Sequence, residues 1–260
     1  THPSVAGAVV RLIKKVGANP WVGDAVSNEG LGGKDAFEIA GIREVVEKEG
    51  GKIVNFSRTG YEKIKVPGAK QLKEVYLAKP LLNSDVIISI PKLKTHELTF
   101  LTGAVKNFFG CVPSFNRFQA HSLADEQKFA EAVLDIYSVC KPSFALMDAV
   151  VAMEGEGPSS GDPVKLGLIL ASPDCVSLDI VASQIVGFRP SDILTSVVAT
   201  KRGLGPKNLE DIKVVGCKIN NLIKKDFKKP STYQGKIKRT IIRFLTPLGI
   251  RFFQTFPAVR

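Results

Sequence analysis

The sequence has 260 residues, 44% of them hydrophobic and 23% charged, which excludes wholesale disorder and lets the chain bury about 70–75% of its unfolded surface. No stretch approaches the ~18 uncharged apolar residues of a bilayer-spanning helix. The formal net charge is +11, but twelve basic residues and one acid fall between Lys213 and Arg260, so positions 1–212 carry 24 of each sign and sum to zero.

In chain order, Ser4–Val16 carries apolar residues at helical spacing (Val5, Val9, Leu12, Ile13, Val16) and Gly17 closes it. Pro20–Gly23 reads as a short strand leading into Asp24. Lys34–Glu49 reads as one helix ended by Gly50-Gly51, followed by a strand over Lys52–Phe56. Glu62–Pro67 and Lys73–Leu77 pair as a hairpin through Pro67-Gly68, a small antiparallel insertion. Asp85–Pro91 is a continuous apolar run, the pattern of a strand buried on both faces of a parallel sheet. A polar, glycine-containing segment follows it, and then a helix over Asp125–Val139. Ser143–Met147 and Leu166–Ala171 read as two more central strands. Helices over Asp174–Val186 and Ile193–Lys201 and a closing strand at Ile212–Val215 complete the pattern. The alternation predicts an α/β fold with a mostly parallel sheet layered between helices. It covers a core domain over 1–215, with a basic, aromatic-rich extension or linker over 216–260.

Ligands of open α/β sheets gather at the C-terminal ends of the strands, and three polar clusters sit at such ends. The first is Gly23-Asp24-Ala25-Val26-Ser27 with Gly30 and Gly32-Gly33-Lys34. Backbone N–H groups of a glycine loop at a helix start can bind an anion, although the spacing fits no nucleotide motif. Its bland counterpart is a surface turn with a capping Asp. The second runs through Pro91-Lys92-Leu93-Lys94-Thr95-His96 and Thr102-Gly103-Ala104-Val105-Lys106-Asn107 to His121. Lysines beside histidines neutralise an anion, a histidine moves protons near neutral pH, and a desolvated lysine acts as a nucleophile. The alternative is a solvated basic loop with His121 capping the next helix. The third joins Asp148, at a strand end, to Glu154, Glu156 and Asp162 in a glycine-rich loop. Those carboxylates suit a hard cation, or the opposite wall of the lysine pocket, or simply an acidic turn.

The candidate catalytic residues are therefore His96, Lys106 and His121. The candidate ligand-binding residues are Asp24, Lys92, Lys94, Thr95, Gly103, Asn107, Asp148, Glu154 and Asp162. No metal site is specified, His121 and Glu154 being the only candidate ligands. Cys111, Cys140, Cys175 and Cys217 lie 29, 35 and 42 residues apart, which suits neither a C-x2-C metal site nor a small disulfide domain. Scattered thiols fit a reducing, cytoplasmic setting. No signal peptide is evident, and Thr1 is not a natural start.

These segments resemble the family called domain of unknown function 362. The likeness rests on Thr1-His2-Pro3, Val22-Gly23-Asp24, the Ile90–His96 run, Thr102–Asn107, His121, Met147-Asp148-Ala149 and Met153–Pro158 with Gly161. It extends through Ala171–Asp174 and Asp179. The resemblance implies an α/β domain, often followed by a ferredoxin-like module whose two iron–sulfur clusters are held by C-x2-C-x2-C-x3-C-P runs. No such run occurs here, so clusters are expected only if a further module follows Arg260, and the chain reads as a core fragment of a longer protein. A weaker likeness, in the order His96, Lys106, His121, is to nickel-pincer lactate racemases. It implies Lys106 as a cofactor attachment point, His121 as a metal ligand and His96 as an acid/base.

From Lys224 onward basic residues alternate with Ile241, Phe244, Phe252, Phe253 and Phe256, a composition that suits an anionic membrane surface or a partner protein. The neutral body argues against nucleic acid. The leading expectation is a redox-linked enzyme or enzyme component. It binds a polar, charged small ligand at the Lys/His loop and works with a ferredoxin-like iron–sulfur module outside this chain. The rival is a non-catalytic binding or scaffold domain that recruits such a partner.

Overall fold

The computed structural model describes residues 1–25, 35–206 and 209–231. The chain opens with α1 (Pro3–Lys15), started by Pro3 and by the His2 imidazole, whose Nδ1 accepts from the Ser4 N–H at 3.2 Å. Next come β1 (Trp21–Asp24), α2 (Ala36–Ile39), α3 (Ile42–Lys48) and β2 (Lys52–Asn55). The expected single helix over 34–49 is two short ones. Gly41 adopts φ 67 between them, a left-handed conformation that ends α2 and starts α3 at a new angle. β1 and β2 pair in parallel, and Ala6 and Val10 of α1 pack with Val46 of α3 as a small separate core.

The hairpin insertion forms as expected, from β3 (Tyr61–Lys65) and β4 (Glu74–Ala78) in antiparallel register. A four-residue helix, α4 (Lys79–Leu82), follows. The apolar run after it differs from expectation: only β5 (Ile88–Ser89) is strand, and Val86 is 62% exposed. The strand resumes past Pro91, which has no N–H to give a ladder, as β6 (Lys92–His96). Then come β7 (Phe100–Leu101), α5 (Gly103–Asn107), α6 (Ser114–His121), α7 (Glu126–Cys140), β8 (Phe144–Glu154), β9 (Asp162–Ser172), α8 (Cys175–Ile185) and α9 (Leu194–Lys201).

β8 organises the main sheet. β5 and then β6 run parallel along one of its edges, β7 pairs antiparallel beyond β6, and β9 takes the other edge antiparallel. Ala145 and Asp148 each have a partner on both sides, which makes β8 central. The two runs expected as central strands are therefore the arms of one long hairpin. Asp148, expected at a strand end, stands mid-strand; Glu154 ends the same strand rather than lying in a loop, and Asp162 begins the returning strand. β9 takes one extra residue opposite Val150, where Gly167 at φ 72 makes the bulge. The fold class is a mixed α/β fold with parallel and antiparallel pairing and a small antiparallel insertion.

The core gathers on the helical side of β8. Phe129, Leu134 and Ile136 of α7 pack with Met147 of β8 and Leu93 of β6, all fully buried. α7 is capped by Asp125, which accepts from the Lys128 N–H at 2.8 Å, and α8 by Asp174, which accepts from Val176 and Ser177. Residues 212–215 are not strand, and Val214 and Val215 are exposed. Past them the chain returns to the body: Phe227 is buried against Phe188 with ring centroids 5.8 Å apart. None of the helices among the described residues is long and apolar enough to cross a membrane. The Gly30–Lys34 loop and the aromatic stretch over 237–256 lie outside the described residues.

Candidate functional site

Where β1 meets β6 and α5, a cavity of about 510 Å³ opens. The alternation of β6 explains its charge. Lys92 and Lys94 share one strand face and line the cavity, while Leu93 and Thr95 point into the protein. Lys106 comes from α5, Arg117 from α6, and Asp24 from the end of β1. Gly103 and Asn107 also line the wall, beside Pro158 and Ser159 of the loop joining β8 to β9.

The short helix α5 is fixed from both ends. Asp179 of α8, completely buried, accepts from the Ala104 N–H at 2.6 Å and the Val105 N–H at 3.1 Å. Gly103 adopts φ 61, and a Cβ there would stand 2.4 Å from the Asp179 carboxylate, so glycine is required on both counts. At the other end Asn107 Nδ2 donates to Ser89 Oγ at 3.1 Å. Burial pushes the Asp179 carboxyl up to about 7 against the pull of its two N–H donors. Asp179 thus sets the direction in which Lys106 leaves the helix without lining the cavity itself.

The three lysines differ in what they meet. Lys92 Nζ is 2.6 Å from Asp148 and 3.0 Å from the Val151 carbonyl oxygen, which also accounts for the buried Asp148 carboxylate; His2 and Val150 N–H groups complete that carboxylate's partners. Lys94 Nζ donates to the Pro158 carbonyl at 3.2 Å, and burial lowers its pKa against the raising influence of Asp24. Among the described residues Lys106 Nζ has no hydrogen-bond acceptor. It lies over the Phe109 ring, 4.8 Å from its centroid, and 5.9 Å from that of Phe129. Burial, and then the charges of Lys94 and Arg117, bring the Lys106 ammonium down to about 7. Asp24 moves the other way, raised by burial and held back by the Ala25 N–H, Arg117 and Lys94.

The histidines lie elsewhere. His96 is buried, its Nδ1 accepts from the Leu98 N–H at 3.1 Å, and its ring stacks near Phe129. His121 packs on Phe129 with centroids 4.7 Å apart and on Phe109 at 5.6 Å. All three candidate catalytic residues therefore surround Phe129, but only Lys106 reaches the cavity wall. Lys106 and His121 both lie against the Phe109 and Phe129 rings, and of the two only Lys106 lines the cavity.

A family model described as domain of unknown function (DUF362) matches residues 1–184. The chain belongs to this family. It is also 30% identical over 263 residues to a protein of Synechocystis sp. named thylakoid-associated protein, an alignment covering 96% of this chain and 80% of that one. No solved structure matches. The matched range includes Ile90–His96 and Thr102–Asn107, which supply the cavity's three lysines.

Of the acidic cluster, Asp148 meets one of those lysines, Lys92, whereas Glu154, Glu156 and Asp162 meet the returning chain. Glu154 accepts from the Lys228 N–H at 3.0 Å, Lys228 Nζ reaches Asp162 at 2.8 Å and Glu154 at 3.6 Å, and Glu156 accepts from the Ser231 N–H at 3.1 Å. The Gly155 N–H donates back to the Lys228 carbonyl at 3.0 Å. The hairpin tip grips the start of the basic extension. Among the described residues no group of three or more His, Cys, Asp or Glu is placed to hold a metal ion, and His121 and Glu154 are in different surroundings. Thr95 ties tip to cavity, because its hydroxyl accepts from the Gly157 N–H at 3.2 Å one residue before Pro158.

Arg117 escaped the sequence reading, since only the packing of α6 brings it to the cavity; its guanidinium donates to the Ala25 carbonyl at 2.8 Å and to Ser114 Oγ at 3.1 Å. Phe109 also went unread as a platform for Lys106. The strand at Lys92–His96 did have a signal, the two-residue alternation of Lys92, Leu93, Lys94 and Thr95.

Proposed function

We propose that the cavity binds a small anionic organic ligand, and that Lys106 is its functional amine. The observation that carries this reading is the convergence of Lys94, Lys106 and Arg117 on one polar cavity whose wall, among the described residues, holds a single carboxylate, Asp24. An anion there replaces water around three partly desolvated cations, gaining far more than it would from exposed lysines. Binding of this kind serves an enzyme, or an enzyme component linked to redox chemistry beside an iron–sulfur module, as the family resemblance implies. The cavity argues for the anion; the redox link rests on the resemblance. A thermal-shift series tests the reading with mono- and dicarboxylates, phosphorylated compounds and uncharged analogues of each. Anions alone should raise the Tm, and Lys94→Met with Arg117→Met should remove the rise. Equal shifts from the uncharged analogues would refute it.

A second reading concerns location. The relative's name, thylakoid-associated protein, and the exposed Lys225, Lys228 and Lys229 at the root of the extension support attachment to an anionic membrane surface. Flotation with phosphatidylglycerol vesicles should carry the full chain, and deletion of residues 232–260 should release it. Flotation unchanged by the deletion would sink this second reading.

A further inference from the structure

Of the cavity's lysines, Lys106 alone has neither a carboxylate nor a carbonyl of any described residue against its ammonium. The faces of Phe109 and Phe129 offset part of the loss of water, but an aromatic face is a weaker partner than an oxygen. An amine in such a place spends much of its time as the free base at neutral pH, in keeping with its lowering to about 7. The free base is the form that attacks carbonyl carbon. The cations that discourage its protonation, Lys94 and Arg117, are also the groups an anion in the cavity would meet. Sulfur does not compete: Cys111 beneath the site is buried, and desolvation pushes its thiol well up, away from the thiolate.

We propose that Lys106 forms a reversible imine with a small carbonyl compound bearing an anionic group, which Lys94 and Arg117 hold. The proposal deepens the cavity reading above and rests on it. The Nζ lone pair attacks the carbonyl carbon, a C–N bond forms, and the π electrons pass to oxygen, giving a carbinolamine after proton transfer. The C–O bond then breaks as the nitrogen lone pair closes the C=N bond. The oxygen leaves as water, carrying the two hydrogens that the amine gave up. No oxidant or reductant is consumed. Among the described residues Asp24 is the carboxylate of the same wall, and its acidity is shifted weaker, in the direction that suits protonating a departing oxygen. The Phe109 and Phe129 rings keep water from one side of the amine and so slow hydrolysis of the imine.

Borohydride trapping tests this on the full chain, with pyruvate and pyridoxal 5′-phosphate as probes and peptide mass spectrometry as the readout. Lys106 should be labelled about ten-fold or more faster than exposed lysines, whose ammonium groups stay protonated near a pKa of about 10.4. Lys106→Arg keeps the charge, cannot form the imine, and should lose that label. Lys94→Met should slow labelling by either probe. In parallel, thermal shifts with lactate and pyridoxine 5′-phosphate report occupancy of the same cavity by anions without a carbonyl. If these bind and Lys106 is labelled no faster than surface lysines by either probe, the imine is refuted and the anion cavity survives. If nothing binds and Lys106 is not selected, both fall. Labelling by one probe only supports the imine and names the anionic group.

Discussion

The cavity wall and the tip of the β8–β9 hairpin are both built from charges, and they treat them oppositely. At the tip Glu154, Glu156 and Asp162 all accept from Lys228 or Ser231, so the acids are spent in holding the chain's return to the body. On the wall, Lys92 is likewise spent on Asp148, but among the described residues Lys106 has only aromatic rings and two like charges for company. Charges that have partners hold the fold; Lys106, which has none among the described residues, is the one proposed to meet a ligand. The two regions are joined through one loop: Thr95 holds Gly157, and the next residue, Pro158, accepts from Lys94.

Breaking a partnered charge should cost stability first. Asp148→Ala strands the Lys92 ammonium and the His2 and Val150 N–H groups, and should lower stability by about 3–5 kcal/mol in urea denaturation. At the tip, Glu154→Ala leaves the Lys228 N–H without its acceptor. The expected loss is about 1–3 kcal/mol, with faster hydrogen exchange at that amide. A loss at Asp148 no larger than that of a surface substitution would erase the distinction between the regions.

The unpartnered charge should behave otherwise. Lys106→Met should weaken anion binding by about ten-fold or more, or ~1.4 kcal/mol, by calorimetry, without lowering the Tm at pH 7. The sign follows from its lowered pKa. Between about 7 and the unfolded value of about 10.4, the unfolded chain holds the proton that the folded chain has released. Stability of the parent protein therefore rises with pH across that window, and the advantage of Lys106→Met should shrink from pH 7 to pH 10. An advantage that is constant or grows would contradict the assignment. The smallest effect belongs to Lys228→Ala. Its ammonium is largely exposed, so losing the bridges to Asp162 and Glu154 should cost about 0–1 kcal/mol in the same urea titration.

The contrast between the regions also marks what could be read from sequence. The lysine-bearing runs announced themselves by composition, and the glycine of Gly103-Ala104 stood where a close approach required it. The acids looked like a loop because glycine and proline surround them. Their strand character comes from pairing, with β8 held on both edges over residues that carry no strong strand pattern of their own. The place of Arg117, the burial of His96 and the packing of His121 depend on how α6 and α7 meet around Phe129, which no local spacing encodes. Two of the chain's histidines, close to the lysines in sequence, pack with the aromatic rings around Phe129 and do not line the cavity.

The titration of Lys106 itself is the most direct test, followed by nitrogen-15 or carbon-13 NMR of labelled lysine with Lys106→Arg as the assignment control. The account predicts that it titrates near 7 in the absence of ligand and moves upward when an anion fills the cavity, because the anion favours the charged form. A Lys106 resonance that titrates near 10 with and without anion would describe an ordinary solvated lysine and contradict the central claim.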